Sequence, residues 1–529
     1  MTARCSYVKH EWDNAIKNYE ELDRSFPNRI DYGLGLVKAL VARGHCSEAL
    51  EAVDLLKQKP AMTTQAARRD LAEAETAFRL PDLRRMYAAA KRAEKEADHP
   101  GDERLRARAW LLQGFALYGY DPENALASFK KAEDFYARTR DRLNQAHAMD
   151  AAAEVLLVKG RLDESRVKTD EAMRIFQDAG DREDTTRLSL RVAILGLIVD
   201  FDQGNVKQAE KRFAAAISDY RRAGNRQQEA LFTCNLGIVL GSVGHRDEAV
   251  RYLKLALDLY RGLNDSRGVA RQLLYLSEWS LDQLRLQDAE QQLTEAQHLA
   301  ADTSSQDLIA EALVQEGAVA AARGKSDLGK KRYQDAQAQY TKIGNRSGVA
   351  QCDLLLADLE LDQCENHAAE ADAHSALVQF LQLQFKDPEA QAGALLALAL
   401  VAEGSLSDAA SNLEKAKRLA KDTQDPDIKI TLALADGRLR AAKGQPEEAL
   451  HDLTGTLEEA QQAGLRRKAL AVELTMGEIE MERGNRRHAS EVLTGLERDA
   501  RSHGFFAVAE RAALARARGP AGVCSAKVD

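Results

Sequence analysis

Proline is scarce in this chain, with nine residues in 529, and aromatic side chains make up only 5%. Strand-rich proteins draw on aromatic and β-branched residues and break their meanders with turn residues, so this composition argues against sheets. No basic block stands out. Lys and Arg number 74 against 83 Asp and Glu, a net charge of −9 with both signs mixed along the length. That excludes the clustered positive charge that neutralises a phosphate backbone, and it predicts no nucleic-acid partner. The same mixing excludes a polybasic patch for a membrane surface. The longest apolar runs, Val192 to Val199 and Ala394 to Ala402, are about half of what spans a bilayer, so no membrane partner is expected. Six cysteines (Cys5, Cys46, Cys234, Cys352, Cys364 and Cys524) are scattered without paired spacing. They read as reduced thiols and, with no apolar leader at the N-terminus, point to a cytoplasmic protein.

What is abundant is Ala, Leu, Glu, Arg, Lys and Gln, the residues that lose least freedom in a helix. They recur with a period of forty. Stepping from Ala209 gives Ala249, Ala289, Gly329, Ala369, Ala409, Ala449 and Ala489. Five residues before each comes Gly204, Gly244, Leu284, Gly324, Cys364, Gly404, Gly444 and Gly484. Four residues after each comes Phe213, Leu253, Leu293, Tyr333, Ala373, Leu413, Leu453 and Leu493. A small residue also stands twelve before the alanine: Gly237, Ser277, Gly317, Ala357, Ala397, Gly437 and Gly477. The glycine suits a helix end that needs a left-handed backbone. The two small columns suit two helices crossing closely, and the larger residue one turn on fills the space between pairs.

This pattern resembles the tetratricopeptide repeat, lengthened from the family's 34 residues. The resemblance implies an all-α fold, a right-handed superhelical solenoid of antiparallel helix pairs, in about thirteen units. The first half fits in looser phase, through Ala15, Tyr19 and Pro27, then Ala49 with Gly44, Ala125 with Phe129, and Ser165 with Gly160. Around Ala88 the turn glycine is missing. The expected division is 1–203 for irregular repeats, 204–503 for the strict register, 504–518 for a capping helix and 519–529 for a disordered tail. The chain opens on a second helix, so its first unit is expected to be incomplete and available for self-association. The opening EWDNAIKNYEELDRSFPNRIDYGLGLVKAL and the ending LERDARSHGFFAVAERAALARA are similar to the repeat region that follows bacterial serine/threonine kinases and winged-helix regulators. That likeness implies a detached sensory half of a signalling system, without the kinase or DNA-binding module.

Several short motifs suggest chemistry. His245-Arg246-Asp247 matches the start of a kinase catalytic loop, but Tyr252 stands where that loop needs Asn. Gly-Lys-Ser at 324–326 lacks the spacing of a phosphate loop. Cys352, Cys364, His367 and His374 gather soft ligands without the short paired spacing of a zinc site. No catalytic residue, metal or cofactor is therefore expected. A helical-solenoid enzyme remains the reading from another class.

In the resembled family the first helix of each pair lines the concave face. The exposed stripe on those helices predicts a peptide-binding groove at Arg191, Asn235, Arg271, Tyr275, Glu278, Gln315, Gln351 and Asp358. Mixed amides, charges and a tyrosine suit a peptide backbone with a few anchors. The expected function is a non-catalytic scaffold for a peptide or protein partner.

Overall fold

A computed structural model describes residues 12–59, 63–80, 82–118, 121–159, 161–180, 203–242, 244–423 and 425–518. Among them all regular structure is α-helical: 25 helices, from Trp12–Ser25 to Phe506–Arg518, with no strand. Successive helices pack on one another, so the chain is built of antiparallel helix pairs. None of the described helices is long and apolar enough to cross a membrane. The chain forms two compact units, residues 1–189 with 342–345, and residues 190–341 with 346–529.

In the second unit the register is nearly metronomic. First helices begin at Arg226, Ser266, Gln306, Arg346, Lys386, Pro426 and Arg466, and second helices at Arg246, Leu286, Ser326, Asn366, Leu406, Pro446 and Arg486. The columns meet as their sizes demand. Ala249, Ala289, Ala369, Ala409, Ala449 and Ala489 are fully buried. Ser277 Oγ donates to the carbonyl of Ala289 at 2.9 Å, across the crossing of its own pair. A methyl group at Gly237 would lie 3.1 Å from the Ala249 carbonyl oxygen, and one at Gly477 2.6 Å from Leu493. These are contacts that only a small residue permits, and they hold the helix axes close.

The turns explain the glycine column and extend it. Gly324 has φ +73°, and Lys325 N–H bonds back to the Ala320 carbonyl at 2.9 Å, closing the last turn of its helix. Leu284 and Cys364, which replace glycine in this column, adopt the same left-handed conformation at φ +59°. The turns from second to first helices use it too, at Gly224, Gly464 and Gly504 but also at Asn264, Ser304 and Gln384. Gly204 departs from expectation. The helix Gln203–Arg222 starts before it, so this glycine lies in a first turn, where N–H groups lack intrahelical acceptors and glycine costs little.

The first unit follows the same scheme with a shifted phase. Ser165 Oγ donates to Ala153 O at 2.7 Å. The Phe129 ring packs where Gly114 has no side chain, and a methyl group at Gly114 would come within 2.5 Å of it. Around residue 88 the crossing position is Met86, fully buried with Ala89, Ala90 and Ala93, whereas Ala88 is exposed. An unbranched methionine fits a gap that alanine fills elsewhere. Helix Trp12–Ser25 packs on Ile30–Arg43, burying Ala15, and Lys59 Nζ pairs with Asp23 at 2.9 Å.

The terminal helix Phe506–Arg518 begins forty residues after Arg466 and buries Ala509, Ala512 and Ala515 against the two preceding helices. Residues 519–529, expected to form a tail, lie outside the described residues. Cys46, Cys234 and Cys352 are not in disulfides. Cys364 is disulfide-bonded, contrary to the expectation of reduced thiols throughout. It stands at a helix-ending turn, where its side chain is only partly enclosed by helix packing.

Candidate functional site

Two polar arrangements occupy the first-helix face of the second unit. The first links neighbouring first helices. Arg267 and Arg271, near the start of Ser266–Asp282, both reach Asp307 at the start of Gln306–Ala322, with Nη2–Oδ2 distances of 2.9 and 2.6 Å. Ser305 Oγ donates to the other carboxylate oxygen of Asp307 at 2.7 Å. Burial pushes the Asp307 carboxyl up, but Arg267, the Ser305 hydroxyl and Arg271 outweigh it and hold the group below the ordinary range. Beside it, burial raises the Glu311 carboxyl against the pull of Arg271, and burial raises the Tyr275 phenol. Arg271 Nε and Gln315 Oε1 are buried without a hydrogen-bond partner among the described residues. Unpaired buried polar atoms are costly, so this wall retains unused hydrogen-bonding capacity.

The second arrangement joins helices far apart in sequence. Asp282, at the end of Ser266–Asp282, pairs with Arg246 of the preceding helix and with Arg467 Nε at 3.1 Å. Gln283 Nε2 donates to the Gly464 carbonyl at 2.9 Å. Asp362 Oδ1 accepts from Arg511 Nη1 at 2.8 Å, and Arg511 Nε also reaches Glu478 Oε1 at 3.0 Å, where Arg438 pairs as well. The second unit thus winds until first helices five pairs apart touch, Ser266–Asp282 meeting Arg466–Glu482.

This winding creates a charged interior. Arg467 interacts with Asp282, Asp427 and Asp358, carboxylates from three different first helices, and is raised although burial opposes it. Lys468 Nζ lies 3.4 Å from Asp427 Oδ2 and donates to Thr431 Oγ1 at 3.2 Å. Glu278 is exposed to water, yet protein surrounds it inside the turn. Desolvation, then the Asp282 carboxylate, push its pKa up to about 7, against Arg246 and Arg467. Burial and Asp358 likewise raise the Asp362 carboxyl, with Arg511 opposing. Arg438 is lowered to about 10, first by burial and then by Arg511.

The expected groove residues therefore separate. Arg271 and Tyr275 lie along the Asp307 network, Gln315 stands further along the helix Gln306–Ala322, and Glu278 and Asp358 both face the interior around Arg467. Asn235 and Gln351 are half-buried on Arg226–Ser242 and Arg346–Asp362. Arg191 lies outside the described residues. Sequence reading missed Asp307, Asp427, Arg467, Lys468 and Arg511. Four of these sit in the first turn of a first helix, where they look like ordinary helix-start residues, and only the winding of the stack gives them a role.

The short motifs take structural places. His245 precedes helix Arg246–Gly262, and Arg246 is committed to Asp282. Gly324 ends a helix. Cys352 is buried, with its thiol pushed up to about 12 by desolvation and Asp353. His367 faces carboxylates instead of cysteines: it shares with Glu370 and Glu403 a spacing of ligand atoms within 4.8 Å, and its Nδ1 pairs with Glu403 Oε1 at 2.7 Å.

No family model and no curated protein matches the chain. Solved structures do. The crystal structure of Rap protein complexed with competence and sporulation factor is 14% identical, covering 74% of this chain and 99% of that one, with a TM-score of 0.39. The crystal structure of the APC/C hetero-tetramer Cut9-Hcn1 is 12% identical, covering 97% and 95%, also with a TM-score of 0.39. The chain is built of tetratricopeptide-like helix pairs. Its own register, crossings and turns show this.

Proposed function

We propose that this chain is a non-catalytic interaction scaffold whose second unit holds a peptide or protein partner on the first-helix face. The residues assigned to contact are Asn235, Arg271, Tyr275, Glu278, Gln315, Gln351 and Asp358. The observation that carries this reading is the unsatisfied polarity of that face. Glu278 and Asp358 are exposed carboxylates with neither an ion pair nor a hydrogen bond among the described residues, inside a wall of paired charges. A peptide backbone or polar side chain supplies the missing partners at little cost in desolvation. Tyr275 adds a half-buried ring that can anchor an apolar residue. The charged groups around these two carboxylates are tied to one another in ion pairs, a pattern that favours recognition over proton transfer.

A photo-reactive phenylalanine analogue at position 275 tests this in the cells that make the protein. A defined polypeptide should crosslink from position 275 and not from the same analogue at Glu458, which is exposed on a second helix. Equal crosslinking from both positions, or none from position 275, would contradict the proposal.

A further inference from the structure

The charges inside the second unit do not balance one another locally, and the imbalance selects a class of partner. Each cation there is already committed. Arg246 and Arg467 are both taken by Asp282. Lys468 lies against Asp427, Arg511 is shared between Asp362 and Glu478, and Arg438 pairs with Glu478 and Glu482. Two carboxylates remain. Glu278 and Asp358 have neither an ion pair nor a hydrogen bond among the described residues, and both are exposed within the interior. Their first helices are two pairs apart, so the uncovered negative charge extends along the wall and is not confined to one helix.

We infer that the partner presents lysine or arginine side chains to this interior, with one cation received by Glu278 and another by Asp358. The inference rests on the first-helix face being the binding surface and names what that surface selects. Carboxylates placed among low-dielectric walls attract a cation more strongly than they would on an open surface. Burial is the larger cause of the raised carboxyl groups of Glu278 and Asp362, and the neighbouring Asp282 and Asp358 carboxylates add to it. Other peptides gain less from these two groups. An acidic peptide is repelled by them, and a neutral one offers hydrogen bonds but no opposite charge.

The test uses the full chain and three labelled peptides of equal length, alternating lysine, glutamate or serine with alanine, read by fluorescence anisotropy. The lysine peptide should bind best, and the Glu278→Gln/Asp358→Asn double variant should weaken it by ~3- to 10-fold per carboxylate removed. The matched outer variant Glu458→Gln/Glu459→Gln should bind like the parent. Both double variants alter exposed side chains, and unchanged hydrogen exchange confirms that each stays folded. Equal weakening by the inner and outer pairs would mean the acidic chain merely attracts polycations, and the inference fails. If the serine or glutamate peptide binds best, and Tyr275→Ala abolishes that binding, the charge preference is wrong while the face remains the binding surface. Binding of no peptide would remove the support for both.

Discussion

Replacing Gly317 by alanine adds one methyl group at a first-helix crossing, and its cost can be worked from the packing. The new carbon would lie 2.5 and 2.6 Å from Cε1 and Cδ1 of Tyr333, whose ring is 4% exposed and packs with Leu356 and Leu359. Carbon atoms rest at about 3.5–4.0 Å, so the ring must retreat by ~1 Å against a filled core. Such overpacking costs ~1–3 kcal/mol, offset by ~1 kcal/mol because alanine is the better helix residue. The expected net loss is ~0–2 kcal/mol. Gly495→Ala supplies the control. It makes the same chemical change at an exposed site in Arg486–Ser502, where nothing lies within 4 Å of the added methyl. There only the helix preference acts, and stability should rise by up to ~1 kcal/mol. A stack of repeats unfolds in sections, so native-state hydrogen exchange is the suitable assay. Gly317→Ala should speed exchange in Gln306–Ala322 and Ser326–Ile343, whereas Gly495→Ala should slow it in Arg486–Ser502. Changes of the same sign at both sites would refute the crossing argument.

Further expectations follow from the same contacts. Ala449→Trp overfills a fully buried crossing and should cost ~1–3 kcal/mol, seen as faster exchange in Pro446–Gln462 and its neighbours but not in distant pairs. Glu278 binds its proton more tightly folded than unfolded, so its stabilising contribution is full below the ordinary carboxyl range and is lost as pH rises through about 7. Denaturation of the parent and of Glu278→Gln across that range should differ in slope, the variant being flatter; parallel curves would show that Glu278 titrates normally. The contacts Asp282–Arg467 and Gln283–Gly464 are polar and partly exposed, so Arg467→Ala or added salt should loosen the winding while leaving helix content unchanged. Small-angle scattering would show the larger radius, and an unchanged radius would mean that apolar packing alone sets the winding.

The helix pairs were legible because every column of the forty-residue register is dictated by a contact within one pair. Ala289 is small because Ser277 crosses over its carbonyl, and Gly324 is glycine because its helix ends there at positive φ. Where a different residue solves the same problem, the pattern fades. Met86 fills a crossing in place of alanine, and Leu284 bends at a turn in place of glycine. The second set of turns stayed hidden for that reason, since Asn264, Ser304 and Gln384 share it with Gly224, Gly464 and Gly504. The candidate site was legible only in part. A stripe on the first helices follows from helical period, so Arg271, Glu278 and Asp358 could be named. Their partners could not, because Asp282 meets Arg467 across a sequence separation of 185, and the winding between them has no local signature. The stripe was expected to lie open, whereas Arg271 is spent on Asp307 of the adjoining helix.

That winding underlies the reading of an enclosed, partner-binding interior, and one distance measures it. Arg285 and Arg466 lie on opposite sides of the seam between successive turns and line one small cavity with Gln283 and His503. Cysteines at positions 285 and 466, carrying spin labels on a background without other accessible thiols, would be read by pulsed electron–electron resonance. A single short distance, lengthening when Arg467 is also replaced by alanine, is the expected result. A long or broad distribution in the otherwise unaltered chain would mean that the first helices do not converge, and the charged interior would not exist.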